Sequence, residues 1–233
     1  MKRKSDIEEC LQEVAESIDV LVDLQEKALT NHQITELKRV KIKDCLGNLK
    51  SCLDYLTIDI YEKIYEPLVV GAKSEREIAK EKERLKFPYG EDENGFKSLA
   101  NSSFPNLKNL NTPLYGLLES IQPYKNVYND WVVPLSKKNN HLKHNDLHKQ
   151  ERLDETDLSV GGGAVSIKGH ISNFTMTNCT FDGVMQSGPI HITNSNDPLN
   201  WINKSGVPVY YKNTAEFYFS NSNLNVMDLI IKS

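Results

Sequence analysis

Residues 137–148 read Lys-Lys-Asn-Asn-His-Leu-Lys-His-Asn-Asp-Leu-His and gather three of the six histidines in this 233-residue chain. His144 and His148 are one helical turn apart, and His141 lies three residues before His144, so a helix presents all three near one face. Histidines at i and i+4 can chelate zinc, but such a site needs a third or fourth ligand. Asp54 and Asp59 are the carboxylates that could complete it, and only if their helix meets this one. Cys10, Cys45, Cys52 and Cys179 form no C-x-x-C pair. Neither a bound metal nor a cofactor is expected. Gly161-Gly162-Gly163 lacks the lysine and the helix of a phosphate-binding loop, and no G-x-S-x-G nucleophile motif occurs.

The elements that must position these residues are mostly helical. Ile7, Leu11, Val14, Ile18 and Leu21 recur at spacings of three and four, predicting an amphipathic helix over 6–29. Ser5 with Glu8 reads as its capping box. A second helix is predicted over 33–65, through Leu37, Cys45, Leu49, Leu53, Leu56 and Ile60, with Pro67 as its limit. Residues 75–86 form a charged, solvated helix. From Phe87 to Asn111 the chain reads as loop, anchored by Phe87, Phe96 and Phe104. Thr112-Pro113 opens a third bundle helix, which stops before Pro123. The fourth starts near Val127 or Trp131 and runs to about Lys149.

From Asp157 the pattern changes. Short segments rich in β-branched and aromatic residues, 164–167, 174–181, 189–193, 207–211 and 216–219, alternate with Gly, Asn, Asp and Pro. They predict a small antiparallel sheet or half-barrel. Too few rungs are present for a parallel β-helix. Residues 225–231 are expected to form a terminal helix that docks back on the bundle.

Composition narrows the classes. The formal charge of −4 is weak, and neither half carries the basic excess expected of a protein held by phosphate contacts alone. Lys137, Lys138, Lys143 and Lys149 nevertheless form a local basic run. Met1-Lys2-Arg3-Lys4 leads into acidic residues, so it is not read as a signal peptide. No apolar stretch reaches the length of a membrane span. Cys10, Cys45 and Cys52 fall on or near apolar helical faces and read as buried thiols, which suits a reducing cytoplasm.

The strings Leu53-Asp54-Tyr55, Phe87-Pro88, Gln122-Pro123-Tyr124 and Asn140-x-x-Lys143-His144, in that order, resemble a family of bacterial proteins defined by sequence rather than by activity. The resemblance covers about residues 45–150. More distantly, the helical part is similar to the HEPN superfamily of helical bundles, many of which are RNA-cleaving toxins and defence nucleases. Their motif joins an arginine, a polar residue, three variable residues and a histidine. Aligned on His144, the polar position is Asn140, and the arginine position is Asn139. The resemblance implies that His144 acts as general base or acid toward a ribose 2′-hydroxyl, with a cation stabilising the phosphate. Asn139 carries no charge, leaving Lys138 or Lys143 as substitute cations. The resemblance also pairs Asp54 and Tyr55 with the Asn140–His144 turn, where bonds between them would fix helix register.

The expected fold is α+β: a HEPN-like four-helix bundle over 1–152 and a small β-rich module over 158–233. The leading functional expectation is a non-catalytic interaction or sensing protein, linked by resemblance to bacterial defence or mobile elements. The alternative is a ribonuclease or RNA-binding protein using Asn140, Lys143 and His144. A homodimer formed through the helical part is expected, with the fourth helix at or near the interface and RNA or a protein as its partner, away from membranes.

Overall fold

The structure is a computed structural model and describes residues 2–144, 147–160, 165–169, 173–177, 180–181, 184–185, 190–193 and 209–233. It is a mixed helix and sheet protein. Contacts within the chain divide it into two interleaved units. The first comprises residues 1–21, 38–149 and 224–233, and the second 22–37 and 150–223.

Helix α1 spans Lys4–Ala28, its residues to Leu21 belonging to the first unit. It begins two residues earlier than expected. Ser5 therefore lies inside its first turn and the expected capping box does not form; the Ser5 hydroxyl instead donates to Asp6 at 3.4 Å. Helix α2 spans Arg39–Ile60, six residues later than the apolar spacing suggested. The helical run continues through a π turn at Tyr61–Tyr65 into α3, Glu66–Val69. A proline is tolerated in such a run only where the carbonyl four residues back can move aside. The wider π turn supplies that freedom at Lys63, just ahead of Pro67.

The expected four-helix assembly is an undercount. α4 (Glu75–Arg84) is opened by the Ser74/Glu77 capping box. α5 (Glu93–Ser103) occupies what read as loop, because Asp92 caps it by accepting from the Gly95 amide at 2.8 Å. α6 (Leu107–Leu110) and α7 (Thr112–Ser120) follow, the latter capped by Asn111 rather than Thr112. α8 spans Val132–His144 and ends five residues short of the expected Lys149. α9, Val226–Lys232, packs on α2 as anticipated and buries Val226, Met227, Leu229 and Ile230.

The core of the first unit is aromatic. Tyr61, Tyr65, Phe87, Phe96, Phe104 and Tyr115 are buried together with Leu107, Leu114 and Leu118. Tyr65 meets Phe104 edge-on with ring centroids 5.7 Å apart, a geometry that adds about 0.5–1.5 kcal/mol beyond area burial. The polar tips are satisfied. Tyr61 donates to Glu81 at 2.9 Å and Tyr65 to the Pro105 carbonyl at 2.7 Å.

In the second unit, β1 (Gln150–Val160) pairs antiparallel with both β2 (Val165–Gly169) and β7 (Val209–Phe219). The two segments expected at 207–211 and 216–219 are thus one strand. β1 starts where helix was expected to be ending. Ala215, Phe217 and Phe219 alternate onto a buried face of β7. β3 (Asn173–Met176) pairs with β6 (Ile190–Thr193), and β4 (Thr180–Phe181) with β5 (Val184–Met185). All these pairings are antiparallel. The triple-glycine segment lies outside the described residues.

Candidate functional site

Within the first unit α2 packs against α8. Val132, Leu135, Ser136 and Asn139 follow the three-and-four spacing of one α8 face, and all are buried. The buried positions of α2 include Ile42, Cys45, Leu46, Leu49 and Lys50. Each stripe also carries a buried polar side chain, Lys50 on α2 and Asn139 on α8. Together with Asn48, Ser51 and Asp54 of α2 and Glu13 and Ser17 of α1, they line an open cavity of about 570 Å³. Lys41, Lys43 and Asp44 contribute charge along the first turns of α2.

Lys50 is only 7 % exposed. An ammonium group is costly to bury unless a carboxylate accompanies it. The i, i+4 spacing on α2 supplies Asp54, whose Oδ1 accepts from the Lys50 ammonium while its carboxylate remains about a third exposed at the cavity. Ser51 donates to the Gly47 carbonyl at 2.9 Å. Ser17 hydrogen-bonds the Cys45 thiol, whose pKa burial nevertheless pushes up. The site thus offers amide, hydroxyl and paired charge on three helices. Such a lining can hold a polar ligand through several hydrogen bonds.

The expected site residues are distributed unevenly around it. Asp54 lines the cavity, and the α8 side chain that shares it is Asn139, the residue at the arginine position of the ribonuclease motif. Asn140 is exposed, and Tyr55 is half-buried on α2. The backbone of Lys143 and His144 forms the last turn of α8, and their side chains lie outside the described residues. Because α8 ends at His144, the helical i, i+4 relation between His144 and His148 does not arise.

His148 instead stacks on His141, with ring centroids 4.6 Å apart, and its Nε2 donates to the Lys138 carbonyl at 3.1 Å. Burial, aided by the positive charge of Lys138 and by His141, holds His148 below the ordinary imidazole range, against the opposing bond to the Lys138 carbonyl. Asp59, weighed above as a metal ligand, is committed elsewhere. Its carboxylate accepts from the Arg3 guanidinium at 2.8 Å and from the Arg3 amide at 3.3 Å. Burial would raise its pKa, but these bonds to Arg3 prevail and hold it below the usual range. Among the described residues no three His, Cys, Asp or Glu side chains converge as a metal ion requires.

The Phe87-Pro88 and Gln122-Pro123-Tyr124 strings meet directly. The Gln122 side chain is fully buried, donates to the Pro88 and Leu118 carbonyls at 3.1 and 2.8 Å, and accepts from the Gly90 amide at 3.0 Å. These strings build the wall of the aromatic core rather than a chemical site. Lys50, Ser17 and Asn139 were not singled out from the sequence as cavity residues. The signal for Lys50 was present, as a lysine one turn ahead of Asp54 on an otherwise apolar stripe. No helix among the described residues is long and apolar enough to cross a membrane. No family model, curated protein or solved structure matches the chain.

Proposed function

We propose that this chain is a non-catalytic recognition protein, an interaction or sensing molecule whose helical unit receives a polar ligand in the α1–α2–α8 cavity. The observation that carries this reading is the cavity itself. Its volume of about 570 Å³ falls within the ~300–1,000 Å³ span of small-molecule sites, and its charged lining includes the Lys50–Asp54 pair. A panel of nucleotides, amino acids and sugar phosphates, screened by thermal shift, tests it. One class should raise the melting temperature in a concentration-dependent way, and Asn48→Leu together with Ser51→Ala should abolish that rise. If no class does so, the recognition reading fails.

The second reading is an RNA-cleaving or RNA-binding protein centred on His144, with Asn140 and Lys143 on the same helix. Its support is the exposure of Asn140 and His141 on α8, where a polymer can reach them. Incubation with a mixed RNA pool separates the two readings. The recognition protein leaves the pool intact, whereas cleavage lost in His144→Ala establishes the nuclease.

We further propose that the chain works as a cytoplasmic homodimer. The supporting feature lies at the end of the long helical run, where Ile64, Leu68 and Val70 are exposed. Apolar side chains in such a row are commonly covered by a second copy. Light scattering should give about twice the 26.5 kDa chain mass, and Leu68→Asp should return the monomer.

A further inference from the structure

Cys10 of α1 and Cys52 of α2 are both half-buried and reduced. Cys52 Sγ donates to the Ile7 carbonyl oxygen of α1 at 3.8 Å. Cys10 stands three residues on from Ile7, on the same face of α1. Burial pushes the Cys52 thiol up to about 11, and the neighbouring Cys10 adds to the rise. Cys45 provides the contrast. It is fully buried and hydrogen-bonded to Ser17, out of reach of an oxidant in solution. The Cys10–Cys52 pair is neither sealed in that way nor used by the cavity.

We propose that Cys10 and Cys52 form a reversible intrachain disulfide when the protein meets a peroxide or a low-molecular-weight disulfide. With hydrogen peroxide, Cys10 as its thiolate attacks an oxygen and becomes a sulfenic acid, releasing water. The other sulfur then attacks it, forming the S–S bond and releasing a second water. Two thiols and one peroxide therefore give one disulfide and two waters. With oxidised glutathione, two successive exchanges give the same bond and two molecules of reduced glutathione.

The bond joins the two helices beside the cavity. Glu13 follows Cys10 by three residues, while Ser51 adjoins Cys52 and Asn48 lies one turn before it, so oxidation pins the α1 wall to the α2 wall. In a reducing compartment disulfides are usually transient and redox-sensing, and the half-buried setting suits that use. The proposal rests on the approach of Cys52 to the Ile7–Cys10 turn of α1 and is independent of what the cavity holds.

The test uses the full chain treated with equimolar hydrogen peroxide or, separately, with oxidised glutathione. Free thiols, counted after unfolding, should fall from the four in the sequence to about two. Peptide mapping should recover the Cys10 peptide joined to the Cys52 peptide, and dithiothreitol should restore both thiols. Hydrogen exchange at the amides around Cys10 should slow on oxidation. Cys10→Ser and Cys52→Ser should each abolish the cross-link, and Cys45→Ser should leave it in place. If Cys52→Ser does not fold, Cys10→Ser and the peptide map decide alone. Retention of all four thiols overturns the proposal. So does a Cys10 disulfide between two chains, or a stable glutathione adduct or sulfinic acid without the joined peptide.

Discussion

A single side chain, Gln122, satisfies two carbonyls and one amide in a buried part of the first unit. Gln122→Leu keeps the volume but leaves the Gly90 amide and the Pro88 carbonyl unbonded. We expect a loss of about 2–4 kcal/mol in urea unfolding, since each stranded buried polar group costs roughly 1–3 kcal/mol. Gly90 is equally constrained, because a Cβ there would stand 2.2 Å from the Phe96 amide nitrogen. Arg3 offers a pH-dependent counterpart. It pairs with Asp59, which is 3 % exposed, and with Glu62. Arg3→Met strands a buried carboxylate and should destabilise by about 2–4 kcal/mol at pH 7. Bonds to Arg3 hold both folded carboxyl pKa values below their ordinary range. The stabilisation is therefore complete above the unfolded carboxyl range, near pH 4–5, and is lost as pH falls through the lower folded values. Urea midpoints of protein and variant should converge as the pH is lowered from 5 toward 2. A gap that stays constant would mean that Arg3 acts through packing alone.

Elements in this chain are set as much by their ends as by their faces. In the second unit Arg152 of β1 gathers the carbonyls of Ala28, Asn31 and Ile34 at 2.7, 3.1 and 2.8 Å, while its Nε donates to Asp154 at 2.7 Å. A guanidinium so placed closes the C-terminus of α1, where unbonded carbonyls and the helix dipole both favour a cation. Arg152→Lys keeps the charge but loses the planar fork that reaches three carbonyls. It should destabilise by about 1–3 kcal/mol, with faster hydrogen exchange around Ile34. Full recovery of stability by lysine would show that charge alone suffices. The adjoining segment is held the same way. Leu37 is bracketed by the Gln150 side-chain amide, which accepts from its amide and donates to its carbonyl at 3.1 Å each. That bracket explains why α2 starts at Arg39 although the apolar spacing continues back to Ile34.

At the scale of the whole molecule, the chain passes repeatedly between two units, and its last helix returns to the first. Ile230 is 2 % exposed on α9, which packs on α2. Ile230→Ala should destabilise by about 2–4 kcal/mol, and a chain ending at Asn223 should aggregate, as light scattering would detect. A well-behaved truncated chain would refute the role of α9 as a cover. Helix periodicity, the three phenylalanine anchors, the alternating β-rich tail and the docking terminal helix were all legible in the sequence, because each follows from local spacing of apolar residues. The capping of α5 by Asp92 was legible too and was outweighed by the surrounding Asn, Gly and Pro. Other features depended on partners distant in the chain. The start of α2 was decided by Gln150, more than a hundred residues away. Asp59 was claimed by Arg3, 56 residues earlier in the chain. Asn139 rather than Asn140 reached the cavity because the packing of α8 on α2, not the motif alignment, selects which side chains turn inward. Local spacing determines which elements form, and burial against remote neighbours decides which of their polar residues are left to meet a ligand.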